Sequence, residues 1–135
     1  MANKDIYHDT VKRVLIKDGW QITHDPLTVA IGRRDGYIDL GAEKICAAEH
    51  NGRKLQSRKS FTYIPLARFV PRLRQYLLYR EALQIVEPER ILYLAVRHAI
   101  YEQLEREQLR DLLDRQQIKF VVFDAEKERI VEWTT

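Results

Sequence analysis

Three carboxylates come nearest to a catalytic set in this 135-residue chain. Asp39 lies in the run YIDL, inside a β-like pattern. An acid is disfavoured there unless it stands at a strand end, on an exposed face or in a site. Glu43 and Glu49 follow it at intervals of four and six. Carboxylates gathered on one hairpin can hold Mg²⁺, a hard cation that takes oxygen ligands. The same spacing also suits alternation outward into solvent, and spacing alone leaves both readings open.

Other chemistries find less support. His8, His24, His50 and His98 show neither H-x-x-x-H nor H-x-H spacing, and there is no cysteine pair, so a zinc site is not indicated. His98 reads as a helix-start residue, and His8 and Asp9 as surface polar groups or the edge of a site. The chain contains no G-x-S-x-G, G-x-x-x-x-G-K-[ST] or G-x-G-x-x-G. Its single cysteine, Cys46, has no partner for an internal disulfide and reads as a buried filler rather than a reactive thiol.

The formal charge of +3 conceals an asymmetry. Residues 51–80 hold eight Lys and Arg and no acid, while the other 15 basic and 20 acidic residues balance at −5. Such a block is an electrostatic footprint for a polyanion. Contact with nucleic-acid phosphates through Arg53, Lys54, Arg58, Arg68, Arg72 and Arg74 is one expectation. A solvated face with counter-charges from elsewhere in the fold is the alternative, because no aromatic-stacking or zinc pattern supports the first independently.

These residues need elements to hold them. The length suits one domain, 1–135. No run of about 18 apolar residues is present, so no membrane span is expected. Residues 1–9 lack an apolar stretch of the signal-peptide kind, which points to the cytoplasm. A helix is expected from an Asp5 cap through Val11, Val14 and Leu15 to Gly19. Two extended pieces follow, broken at Asp25-Pro26. RRDG (33–36) reads as a turn, and 37–49 as extended. Asn51-Gly52 is the strongest hairpin signal and should fold 53–61 back beside 37–49, though 53–61 is too polar for a central strand. A helix over 68–86 carries Pro71 in its first turn or at a kink. A buried strand over 90–96, a helix over 98–117 and two terminal strands around AEKE complete the pattern. The order is α-β-β-β-α-β-α-β-β, an α/β fold with a mixed sheet flanked by helices.

DIYHDTVKRVLIKDGWQITHDPL, YIDLGAEK, KSF, QYLLYR and EPERILYLAV together resemble the XisH family of excision-controlling factors of cyanobacteria. The likeness spans nearly the whole chain and is weak from about 55 to 75. Families of this kind look like members of the PD-(D/E)xK superfamily, whose restriction-endonuclease-like core, α-β-β-β-α-β, agrees with the order above. The resemblance implies an acid on the second strand and an acid-x-Lys motif on the third, with the acids holding Mg²⁺ and the lysine activating water at a phosphodiester. Asp39 matches the strand acid and Lys59 the motif lysine. Gln75 with Tyr79 resembles a Q-x-x-x-Y element on the next helix, where a glutamine can bond a phosphate or water; an ordinary helix-surface role is the alternative.

This sequence departs from the family at the motif. The family usually reads like KIAVEIKSF there; this chain reads KLQSRKSF, one residue shorter and without a carboxylate. Ser57 stands two residues before Lys59, and Arg58 beside it would repel a cation. Pro71, Arg72 and Arg74 stand where the family carries small helix-compatible residues. The resemblance therefore implies a degenerate site, with Mg²⁺ not expected to be bound. A reading-frame slip or an inactivated copy would each account for it. The leading functional expectation is a DNA-rearrangement accessory protein that binds DNA and pairs with a XisI-like companion protein. An active Mg²⁺-dependent endonuclease using Asp39, Lys59 and Glu43 or Glu49 is the second expectation, and a pure protein-interaction module the third. A homodimer would suit the two-fold symmetry of duplex DNA.

Overall fold

Val11, Val14 and Leu15 share one side of a helix, and burying them folds His8–Lys17 into α1. Gly19 ends it. At φ +94° it turns left-handed, so that its amide reaches the Ile16 carbonyl and the Trp20 amide the Leu15 carbonyl. The computed structural model describes residues 6–50 and 53–134, and of 45–50 and 53–56 the backbone alone. Asp5 lies outside these residues; the helix itself begins behind Tyr7. The expected burial of Cys46 and the Asn51-Gly52 turn also lie outside them.

Five strands, rather than the expected three, separate the first two helices. They are β1 (Gln21–His24), β2 (Leu27–Ile31), β3 (Arg34–Ile38), β4 (Leu40–His50) and β5 (Arg53–Tyr63). A 3₁₀ turn at Leu66–Arg68 leads into α2 (Phe69–Val86), which holds Pro71 in its first turn. Then come β6 (Ile91–Arg97), α3 (His98–Arg106), α4 (Arg110–Arg115), β7 (Phe120–Asp124) and β8 (Arg129–Trp133).

Two expected boundaries are corrected. The turn read at 33–36 lies two residues earlier, at 31–34, with Gly32-Arg33 at its centre and Ile31 facing Arg34. Gly32 supplies φ +61° at the first central position, which matches the twist of a two-residue hairpin. The single helix expected over 98–117 breaks at Gln108, φ 59°. Leu104 and Leu109 both pack on the core, but five residues is out of step with a helical turn, and the break restores the phase.

The main sheet runs β1-β4-β5-β6-β7-β8, and β2-β3 form a separate ribbon. β5, β6 and β7 are parallel neighbours; the other pairs are antiparallel. α2 and the α3–α4 pair make the crossovers that parallel strands require. Both pack with the ribbon on one face, around Ile38, Ile64, Tyr76, Leu94 and Phe120. α1 packs on the other, around Leu15, Trp20, Leu40, Phe61 and Phe123. Each large apolar side chain fully buried in these cores contributes on the order of 1.5–3 kcal/mol relative to exposure.

β5 is central despite its polarity, and the register explains why. β6 pairs only with Lys59 to Tyr63, so the polar half of β5 has β4 as its sheet neighbour and not β6. Ser60, Phe61, Thr62 and Tyr63 are buried. No helix among the described residues is long and apolar enough to cross a membrane.

Candidate functional site

Asp39 occupies the point where the chain changes sides. Ile38 and Leu40 are both buried, yet Ile38 belongs to the α2-side core and Leu40 to the α1-side core. Residues two apart on one strand would share a face. The backbone therefore bends at Asp39, between β3 and β4, and an acid there caps a strand end instead of interrupting a ladder. Its Oδ2 accepts the Tyr63 amide at 2.9 Å, and its Oδ1 lies 3.8 Å from Arg72 Nη1 on α2.

Lys59 lies elsewhere. It projects from β5 to the α1 side with Phe61. Its Nζ sits 4.2 Å from the ring centre of Trp133, 4.7 Å from that of Tyr93 and 5.1 Å from that of Trp20. Three π faces oriented on one ammonium make an aromatic cage. Asp39 bonds to β5 four residues further on, at Tyr63, roughly 13 Å along the strand. The Asp39 carboxylate thus meets Arg72 of α2, while the Lys59 ammonium lies among rings of the α1-side core.

Glu43 and Glu49 are the other two acids of the set. Glu43 directs Oε1 to Arg58 Nε at 3.2 Å. Glu49 faces Lys54 in the backbone register, and its side chain is outside the described set. Among the described residues no group of three His, Cys, Asp or Glu is arranged to hold a metal ion.

Arg58 is the centre of an ion cluster. Besides Glu43, its Nη1 lies 3.5 Å from Glu89 and 3.8 Å from Glu87, both in the loop after α2. Beneath it Arg90, only 3 % exposed, donates from Nη1 to the Lys59 carbonyl at 2.9 Å and from Nε to Glu87 at 3.0 Å. The counter-charges for this part of the basic block come from within the fold. Of the other cations, Arg72 is half-buried beside Asp39, while Arg68 and Arg74 are exposed. The side chains of Arg53 and Lys54 are outside the described set. Gln75 is exposed on α2, whereas Tyr79 turns inward against the ribbon at Gly36.

A second polar cluster escaped the linear reading. His8, buried on α1, pairs through Nε2 with Asp25 Oδ1 at 2.7 Å, and Lys12 Nζ donates to Asp25 Oδ2 at 2.8 Å. The available signal was the four-residue spacing of His8 and Lys12, which puts both on one helix face. Burial pushes the Asp25 carboxyl up, but hydrogen bonds from Lys12 and His8 outweigh it and hold the group below its ordinary value. Lys12 is raised, first by its bond to Asp25. The cluster ties α1 to the β1–β2 turn. A groove of about 1240 Å³ lies between α2, α4 and the end of β8, and neither Asp39 nor Lys59 lines it.

The family model described as XisH protein matches residues 1–131. The crystal structure of an XisH family protein from Nostoc punctiforme is similar with a TM-score of 0.81 and 31 % identity, covering 97 % of this chain and 100 % of that one. The crystal structure of a fdxN element excision controlling factor protein from Anabaena variabilis is similar with a TM-score of 0.79 and 32 % identity, covering 98 % of this chain and 100 % of that one. No curated protein matches.

Proposed function

Because the chain belongs to the XisH family, we propose that it controls excision of a genomic element, as a DNA-rearrangement accessory protein and not as a cleaving enzyme. The observation that carries this reading is the end-to-end likeness to the fdxN element excision controlling factor. A descent from the PD-(D/E)xK core is supported by the run α1, β1, β4, β5, α2, β6, with the β2–β3 ribbon as an insertion.

The lodging of Lys59 among three rings, the approach of Arg72 to Asp39 and the turning of Glu43 toward Arg58 favour a binding role over Mg²⁺-assisted hydrolysis. In this reading Asp39, Lys59 and Gln75 keep the positions of a catalytic set without its chemistry. Arg68, exposed ahead of α2, is the first cation to present to phosphates. A XisI-like companion is the protein partner, and the setting is the cytoplasm.

Excision scored by amplification across the rejoined junction, in cells with and without the protein, tests the role directly. Unchanged excision overturns it. Binding of a duplex should weaken steeply with salt, and Arg68→Ala should reduce the salt slope by about 1. Plasmid nicking with Mg²⁺, abolished by both Asp39→Ala and Lys59→Ala, would restore the endonuclease reading.

A further inference from the structure

α2 is apolar on both sides. Tyr76 and Leu83 are buried, and Phe69 and Leu73 pack on the same core. On the opposite side Val70 is 61 % exposed, Leu78 53 % and Ile85 85 %. With Arg74 and Glu81 these three fall within an arc of about 80°. A helix face of this kind is ordinarily covered.

The order of residues along that face says by what. Reversed about a point between Leu77 and Leu78, the sequence maps Val70 onto Ile85 and Arg74 onto Glu81. An antiparallel pair of α2 helices related by a two-fold axis there sets apolar against apolar at both ends and in the middle. It also sets Arg74 of each copy against Glu81 of the other. A parallel pair in register would oppose Arg74 to Arg74 and Glu81 to Glu81. Within one helix the two residues are seven apart, beyond the three or four that allows a pair. Among the described residues neither has an ion pair inside its own chain.

We propose that the outer face of α2 is a homodimer interface, in which a second copy of this chain docks antiparallel through Val70, Leu78 and Ile85, with two reciprocal Arg74–Glu81 pairs. A two-fold interface is self-complementary by construction, and this face has that property in the placement of its apolar residues and of its charges. A crossing near +20° keeps both ends of the seam in contact. The proposal does not depend on DNA binding; it assigns Arg74 to a protein seam and leaves Arg68 to phosphates.

Sedimentation velocity of the full chain, from micromolar to hundreds of micromolar, reads the outcome. The expected result is a concentration-dependent dimer. Arg74→Glu and Glu81→Arg, each alone, should weaken it about tenfold, because each change strikes both copies of the contact. The double variant, with the charges exchanged, should return dimerisation close to the parent's. Leu78→Asp should leave a monomer. Circular dichroism establishes that each variant retains its fold, and the rescue by the double variant distinguishes lost pairing from lost folding. A parent that stays monomeric throughout, or a dimer indifferent to both single reversals, overturns the proposal.

Discussion

The Lys59 ammonium lies 4.2 Å from the centre of the Trp133 ring, joining the middle of β5 to the last residue of β8. β5 and β8 are not sheet neighbours, so this contact spans β6 and β7. Lys59 is therefore expected to act on stability. In a double-mutant cycle with Lys59→Met and Trp133→Leu, the coupling should be about 0.5–2 kcal/mol by urea denaturation. Strictly additive effects of the two changes would show that the cation and the ring do not interact.

The Asp25 cluster predicts a pH dependence with a definite sign. The folded Asp25 carboxyl is held below its ordinary value, so its contribution is present above the unfolded value, about 3.9, and is lost as pH falls through the folded one. Lys12 is raised in the folded state, so its contribution is present below about 10.4 and is lost at higher pH. Asp25→Asn should cost about 1–2 kcal/mol near neutral pH. Unfolding curves taken from pH 7 downward should show parent and variant converging below the ordinary carboxylate range. A constant gap across that range would remove Asp25 as the titrating group.

Much of this fold is legible in the residue pattern. Val11, Val14 and Leu15 announce α1, the run ILYLAV a buried strand, and Pro71 an early position in α2. The bend at Asp39 is not legible, because strict alternation predicts Ile38 and Leu40 on one face and only the packing of two separate cores parts them. The same limit applies to the site. Asp39 and Lys59 are conspicuous in sequence, but which side of the sheet each faces follows from the bend and the register. Arg90 and the rings of Trp20, Tyr93 and Trp133 carry no linear signal, since they converge from elements far apart in the chain.

Gly36 marks the closest approach of the ribbon to α2. A β-carbon there would stand 2.9 Å from Ile31 Cγ1 and 2.9 Å from the Tyr79 ring, both inside van der Waals contact. Neither neighbour is the free end of a flexible chain, so the ribbon or the helix must move. Gly36→Ala should destabilise by about 1–3 kcal/mol, the usual cost of overpacking. Trimming Tyr79 to Leu in the same background should recover part of the loss. A thermal midpoint for Gly36→Ala equal to the parent's would show that the gap yields freely.

Tyr76 joins α2 to β6 and to the segment that leads into β7. Its hydroxyl donates to the Leu92 carbonyl at 2.9 Å and accepts the Lys119 amide at 3.2 Å, and the residue is fully buried. Burial is the main cause raising its phenol above the ordinary value, so the group stays neutral and able to donate across the physiological range. Tyr76→Phe keeps the ring but leaves the Lys119 amide without this acceptor and the Leu92 carbonyl without this donor. An unsatisfied buried group costs about 1–3 kcal/mol, and here two are affected by one change. Urea denaturation should show a lower midpoint with an unchanged slope, because the surface exposed on unfolding is the same. Tyr76→Leu should be worse, since it also opens a cavity where the ring packs. If Tyr76→Phe unfolds at the parent's midpoint, the hydroxyl is not what holds α2 against β6 and the segment before β7.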